Sequence, residues 1–231
     1  MKMKDKTQNF ERSLPDGYKQ AFQISAKNIK VGIFMNLAAL AIMAVAYLIT
    51  ILPISWFLLP RFAHTESPFA FVVGIFFGVI ALLPFTVLHE LIHGWAYKKK
   101  TGEKLTFGVS WSCAYCGVPG IYTYRSTALY ALLAPMVVIS AVTLIGAAVC
   151  ATVSLCLSPD AASQEVFLCL LGAFISLFAS HIGGCVGDGY MAILFAAKFR
   201  DGRTLMRDTG PDQFLYLPDT ERAETDGESE N

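Results

Sequence analysis

The residues of this sequence best suited to chemistry form the pentapeptide His89-Glu90-Leu91-Ile92-His93. On an α-helix, positions four residues apart share a face, so both imidazoles could bind one metal ion with Glu90 beside it. From Phe69 to Trp95 the chain holds only four polar or charged side chains, and three of them belong to this motif. Ionisable groups are costly in so apolar a segment, so their presence indicates a functional site.

A catalytic zinc ion usually takes three protein ligands and keeps one position for water. The candidates for the third ligand in apolar parts of the chain are Asp188, His181 and Cys185. Asp188 is the best candidate because it is anionic and lies in segment 183–189, where four glycines should break a helix. Its alternative role is to cap the following helix. His181 is either an auxiliary group that polarises the substrate or orients a ligand, or a satisfied buried polar side chain.

The sequence therefore predicts a Zn2+ hydrolase with His89, His93 and Asp188 as metal ligands. Bound zinc would lower the pKa of a water molecule and polarise a carbonyl group. Glu90 would take the proton of that water and pass it to the leaving amine. A peptide substrate is the leading expectation, but the motif also fits a hydrolase of non-peptide amides. Two non-hydrolytic alternatives are a catalytically silent membrane scaffold or chaperone, which would not need Glu90, and a metal transporter or sensor.

The elements that must hold these residues are apolar helices. The chain has 231 residues, of which 55% are hydrophobic, and its mean hydropathy is +0.51. A membrane span needs about 20 apolar residues, and four segments qualify, at roughly 31–52, 69–97, 127–157 and 166–199. We therefore predict an α-helical polytopic membrane protein of about four transmembrane helices. Pro84 should kink the second span just before the motif.

The distribution of positive charge predicts the orientation of these spans. The net charge is zero, but Lys and Arg concentrate before the first span, between the second and third, and after the fourth. Under the positive-inside rule, both termini and the middle loop face the cytoplasm of an integral membrane protein. Because topology accounts for the lysines, no nucleic-acid partner is expected. The expected partners are the lipid bilayer and a membrane protein or peptide substrate.

The remaining segments divide the chain into three parts. Residues 1–30 are expected to be a cytoplasmic leader, in which Tyr18 and Phe22 fit one face of a short interfacial helix. Residues 31–199 form the membrane-embedded domain. Residues 200–231 form a cytoplasmic tail, with a short strand within 203–218 and a disordered acidic end.

The stretch 105–124, between spans two and three, is too short and too broken by Gly and Pro to cross a membrane. Alternating apolar residues from Leu105 to Trp111 predict a β-hairpin or re-entrant element there. Its strand edge could pair with an extended substrate, or the loop could anchor the protein at the interface. Cys113 and Cys116 form a lone CxxC in this stretch, and they are either half of a zinc site or ordinary small side chains.

Three segments together resemble a known pattern: Leu88 to Gly94, then Leu133-Ala134-Pro135, then Gly183 to Asp188. The chain is similar to the site-2 protease group of intramembrane zinc metalloproteases, and most similar to the bacterial membrane proteins of the putative zincin peptidase family. The resemblance covers roughly residues 70–200. It implies that His89, His93 and Asp188 bind zinc, that Glu90 is the base, and that the protein lies in a bacterial cytoplasmic membrane. It also implies a membrane-associated β element between the spans.

Overall fold

The computed structural model describes residues 9–57, 67–157 and 162–219, and these residues are mostly helical. The end of the tail, 221–231, for which disorder is predicted, lies outside the described residues. The helices are α1 (Ile29–Phe57), α2 (Ser67–Ile80), α3 (Leu82–Thr101), α4 (Arg125–Cys156), α5 (Ala162–Gly184) and α6 (Val186–Ala197). The strands are β1 (Phe10–Glu11), β2 (Tyr18–Ser25), β3 (Thr106–Val109), β4 (Ala114–Gly117), β5 (Tyr122–Tyr124), β6 (Leu205–Asp208) and β7 (Asp212–Pro218).

Three described helices are long and apolar enough to cross a membrane. They comprise Ile29–Ile54, Arg125–Cys156 and Ala162–Gly184. The pair α2 and α3 also passes this test as a single span that is bent by 50°. The number of candidate spans is therefore three or four, and the predicted break in the last segment is present, because Cys185 separates α5 from α6.

The bend between α2 and α3 follows from Pro84. This residue has no N–H to donate to the carbonyl of Ile80, and its ring would clash with that carbonyl in a straight helix. The chain accordingly breaks at Ala81, and Pro84 occupies the first turn of α3, where a missing N–H costs little. The predicted kink is present, and it lies one turn earlier than the proline itself.

The described residues form two compact units, of which the first contains residues up to Phe34, Glu90–Ala134 and the chain from Asp188 onward. Its main sheet has five antiparallel strands in the order β1-β5-β6-β7-β2. Its core draws on the sheet, the end of α3, the start of α4 and α6. The core side chains include Ala96, Tyr97, Ala131, Leu132, Met191, Phe195, Met206 and Leu215.

The interfacial helix expected around Tyr18 and Phe22 is wrong, because both residues lie on strand β2, which pairs along its length with β7. The register shifts between Gln20 and Phe22. A bulge of this kind turns the following side chains to the other face of the sheet. Tyr18 accordingly packs with Tyr216, whereas Phe22 packs against the main core. Residues four apart share a face in a helix and also in a regular strand, so the spacing of Tyr18 and Phe22 alone could not distinguish the two.

The stretch 105–124 contains a two-stranded hairpin, as the alternating pattern predicts, over Thr106–Gly117. Thr106 pairs with Gly117, and Val109 pairs with Ala114. The hairpin is shorter than the predicted range, because Tyr122–Tyr124 forms β5 and pairs with β1 and β6 in the main sheet instead.

The second unit contains Met35–His89 and Pro135–Gly187. Its core includes Phe71, Cys150, Leu168, Leu171 and Ile175. Helices α2 and α5 approach closely through glycines. A Cβ atom added at Gly172 would lie 2.2 Å from the carbonyl oxygen of Phe71, and one added at Gly74 would lie even closer to the carbonyl oxygen of Cys169. Small residues let two helix backbones approach this closely.

We expect Gly172→Ala to lower the free energy of unfolding by about 1–3 kcal/mol, because its methyl group must force the two backbones apart. Gly184→Ala is the matched control in the same helix, since nothing lies within 4 Å of its added Cβ atom. The measurement is thermal unfolding of the protein in detergent. Equal midpoints for the two variants would contradict the close approach of α2 and α5.

Candidate metal centre

Helix α3 presents two chemically different faces. Leu88, Leu91 and Trp95 are exposed, whereas His93 is buried and His89 and Glu90 are half-buried. The exposed face is apolar throughout this turn, so the polar residues of the motif point inward. The polar residues that stand out in this apolar segment of the sequence therefore lie together on the inward face of α3.

His93 is oriented by a backbone carbonyl. Its Nδ1 atom lies 2.8 Å from the carbonyl oxygen of Ala131 in α4. Because a carbonyl only accepts, Nδ1 carries the proton and Nε2 keeps its lone pair in the neutral ring. That carbonyl is available because Pro135, four residues later, has no N–H to donate to it. The proline in α4 thus selects the tautomer of His93 that can bind a metal.

Asp188 lies against the other ring nitrogen of His93. Its Oδ2 atom is 3.3 Å from Nε2, which is longer than the roughly 2.7–2.9 Å of a charge-assisted hydrogen bond. Zinc bonds of about 2.0–2.2 Å would place two nitrogen or oxygen ligands of a tetrahedral ion about 3.4 Å apart. The separation therefore fits two ligands of one zinc ion. Asp188 lies in the first turn of α6, where the helix dipole also favours a negative charge.

His89 completes a group of three possible metal ligands. One turn of α3 separates it from His93, and the ligand atoms of His89, His93 and Asp188 all lie within 4.8 Å of one another. Two imidazole nitrogens and a carboxylate oxygen are a typical donor set for a catalytic zinc ion. Glu90 is close enough to His93 to interact with it electrostatically. The four residues that the sequence predicts for metal binding and catalysis are thus neighbours.

His181 and Cys185 take part in a second group with His89. The rings of His181 and His89 have centroids 5.3 Å apart. His181 Nε2 lies 3.2 Å from the carbonyl oxygen of Pro135, so this histidine has the buried polar contact that was one of its two expected roles.

The CxxC pair contributes to neither group of possible ligands among the described residues. Cys113 is exposed, whereas Cys116 is buried on β4. Burial, followed by the negative charge of Asp208, raises the pKa of Cys116 to about 12. Cys116 is therefore a buried thiol that packs in the protein interior, and neither cysteine has two further possible ligands beside it among the described residues. The structure therefore favours ordinary packing for this pair over half of a zinc site.

Sequence reasoning missed the anchor of the motif helix at Asp208. Tyr97, one turn after His93, is fully buried and its hydroxyl donates to Asp208 Oδ2 over 2.7 Å. The backbone N–H of Gly210 donates to the other carboxylate oxygen over 2.9 Å. These bonds tie the end of α3 to β6. The sequence carries no signal for this pairing, because the two residues are 111 positions apart.

Comparison with known families identifies one that matches the chain. The sequence profile of the family described as “putative zincin peptidase” matches residues 82–202, which is more than half of the chain. The chain belongs to this family. The matched region includes the HExxH motif, the Pro135 turn of α4, and Asp188. The family description implies zinc as cofactor and peptide hydrolysis as chemistry. No curated protein and no solved structure matches the chain.

Because Pro135 frees the acceptor of His93, we expect Pro135→Ala to weaken zinc binding by about 10-fold, in the range typical of groups that orient a metal ligand. The new N–H would compete for the Ala131 carbonyl. Competition with a zinc-sensitive fluorescent chelator measures the change. Pro53→Ala, at another proline inside a long apolar helix, is the control and should bind zinc as the wild type does.

Asp208 predicts a pH dependence of stability. Burial raises its pKa from 3.8 to about 6, although the hydrogen bonds from Tyr97 and Gly210 oppose the shift. An acid whose pKa is raised on folding stabilises the folded state below the unfolded pKa, and this contribution is lost as pH rises through the folded value. As pH rises from about 4 to about 6, the free energy of unfolding of the wild type should fall by about 3 kcal/mol relative to that of Asp208→Asn.

Thermal unfolding of both proteins in detergent across this pH range measures the difference. Metal binding also changes with pH, but it changes in both proteins, so comparing the two isolates Asp208. Unfolding midpoints that run parallel from pH 4 to pH 6 would show that Asp208 does not titrate in this way.

Proposed function

We propose that this protein is a membrane-embedded zinc peptidase that hydrolyses peptide bonds in or near the bilayer. The observation that carries the proposal is the convergence of the ligand atoms of His89, His93 and Asp188 within 4.8 Å of one another. Helix α3, which bears the two histidines, is apolar enough to cross a membrane together with α2. Membership of the family supports zinc-dependent peptide hydrolysis. The apolar helices, together with the position of the basic residues, support a membrane location with both termini in the cytoplasm.

The roles of the chain's own residues follow from their chemistry. His89, His93 and Asp188 would hold zinc, which when bound polarises a carbonyl and acidifies a water molecule. The carbonyl of Ala131 keeps the His93 ring in place. Glu90, next to the first ligand on α3, takes a proton from the attacking water and delivers it to the departing amine nitrogen. The half-buried position of Glu90 keeps the carboxylate within reach of water.

In this proposal, the β3–β4 hairpin binds an extended segment of the substrate. Strand β3 is an edge strand of this two-stranded sheet, and an extended peptide can add to such an edge as a further strand. Phe107, Val109 and Trp111 are exposed on this hairpin. These apolar side chains suit a substrate that leaves the membrane. In this proposal, the substrate is a membrane protein or peptide.

Substitution of Glu90 tests the proposal. We expect Glu90→Gln to retain about one zinc per chain, because it leaves the three ligands intact, and to lose about 10²–10⁴-fold in hydrolysis rate. Asp188→Asn should lose zinc as well as activity. Zinc is measured by mass spectrometry on protein purified in detergent, and hydrolysis with a fluorescence-quenched peptide library in proteoliposomes. Glu165→Gln, at an exposed glutamate in α5, is the matched control.

The outcomes separate the proposed activity from its alternatives. A folded wild type that binds no zinc would rule out the hydrolase. Zinc retained in every variant, with equal cleavage by wild type and Glu90→Gln, would remove Glu90 from the mechanism. Zinc binding without cleavage of any peptide in the library would leave the non-peptide amide hydrolase or the silent scaffold as the better description.

A further inference from the structure

The proposed peptidase gives no role to Cys185, a buried thiol in a second group of possible ligands that shares His89 with the metal centre. His89, His181 and Cys185 offer ligand atoms that all lie within 4.8 Å of one another. Two imidazoles and a thiol suit a thiophilic divalent cation, and Cys2His2 and Cys3His sites show that zinc accepts mixtures of these ligands. The cluster lies wholly within the second unit.

The backbone holds His181 and Cys185 at the spacing that suits two ligands. Cys185 N–H donates to the carbonyl of His181 over 3.0 Å, so the last turn of α5 continues to the cysteine. Residues four apart on such a turn face the same side, as do His89 and His93 in α3. Both side chains are almost completely buried, with His181 7% and Cys185 3% exposed. The pair is therefore preorganised.

The distances match a tetrahedral metal ion. Cys185 Sγ lies 3.5 Å from Nε2 and 3.9 Å from Nδ1 of His181. Zinc bonds of about 2.3 Å to sulfur and about 2.0–2.1 Å to nitrogen put the two ligand atoms about 3.6 Å apart. The 3.9 Å separation to Nδ1, the nitrogen that faces away from the Pro135 carbonyl, is about 0.3 Å longer than this value. Because the Pro135 carbonyl accepts from Nε2, Nδ1 keeps the lone pair that a metal needs.

We propose that His89, His181 and Cys185 form a second metal position, which takes a thiophilic divalent cation such as cadmium, or zinc in excess. Coordination exchanges the Cys185 thiol proton for the metal and releases that proton to solvent. His89 belongs to both groups, and a neutral imidazole has only one ring nitrogen with a free lone pair for a metal. The two positions therefore compete for His89, and filling the second one withdraws a ligand from the catalytic centre.

This inference extends the proposed function by adding an inhibitory metal position, but its test does not require hydrolysis. Cadmium is the probe, because a cadmium–thiolate bond gives an ultraviolet charge-transfer absorption that histidine and carboxylate ligands do not give. The parent protein is the full chain with Cys113→Ser and Cys156→Ser, which removes both exposed cysteines among the described residues. Titration of this protein in detergent should show one thiolate bond per chain.

Two substitutions locate the bond. Adding Cys185→Ser should abolish the absorption, and adding His181→Ala should weaken cadmium binding by at least about 10-fold. Cys150→Ser, at another buried cysteine in an apolar helix, is the matched control and should keep the parent's titration. An unchanged absorption in the Cys185→Ser protein would overturn the proposal. So would unchanged affinity in the His181→Ala protein.

Competition for His89 is tested by weakening the other centre. In the same parent, Asp188→Asn should bind cadmium more tightly at the thiolate position, because fewer ions then hold His89 in the catalytic centre. Equal or weaker binding would contradict the shared ligand. If the Cys185→Ser protein does not fold, X-ray absorption at the cadmium edge of the parent protein identifies the ligand atoms instead. Nitrogen together with one sulfur in the first shell supports the proposal, and a shell without sulfur refutes it.

The failure of this inference is distinguishable from the failure of the proposed peptidase. If Glu90→Gln retains zinc and loses cleavage while the cadmium titration shows no thiolate absorption, the peptidase proposal is supported and the second metal position is refuted. A cadmium–thiolate bond in a protein that cleaves no peptide would support the second metal position and refute the peptidase.

Discussion

The hydrogen bond from His93 to the Ala131 carbonyl is the interaction on which the metal centre most depends. It fixes both the direction of the imidazole and the nitrogen that faces Asp188. It exists because Pro135 leaves that carbonyl without its usual helical donor. A substitution in α4 can therefore change metal binding without touching any ligand. The Leu133-Ala134-Pro135 segment acquires a physical role here, as the element that presents an acceptor to α3.

A second constraint comes from burying polar groups in apolar surroundings. His93, His181 and Asp208 are each buried, and each has a defined polar neighbour: the Ala131 carbonyl, the Pro135 carbonyl and the Tyr97 hydroxyl. An unsatisfied polar group would cost about 1–3 kcal/mol at such positions. These contacts also restrict the side chains to one orientation. The same bonds that offset the cost of burial thus supply the precision that metal binding requires.

The sequence could predict features whose cause is local. Helical apolar segments, the kink that Pro84 imposes and the break near Cys185 each follow from residues within one or two turns. Proximity of His89 to His93 likewise needs only the helical period. The sequence could not predict the pairing of β2 with β7, because nearly 200 residues separate the paired strands. A four-residue spacing fits both a helix and a strand, so the local pattern of β2 could not identify the element.

The third ligand shows how local and long-range causes combine. Glycines in 183–189 explain why the chain can break between α5 and α6, but they do not specify which side chain faces which neighbour. The turn at Cys185 separates residues only three positions apart into different groups: Cys185 with His181, and Asp188 with His93. A continuous helix would place both residues on nearly the same face. The break therefore provides two distinct ligand environments from one short segment.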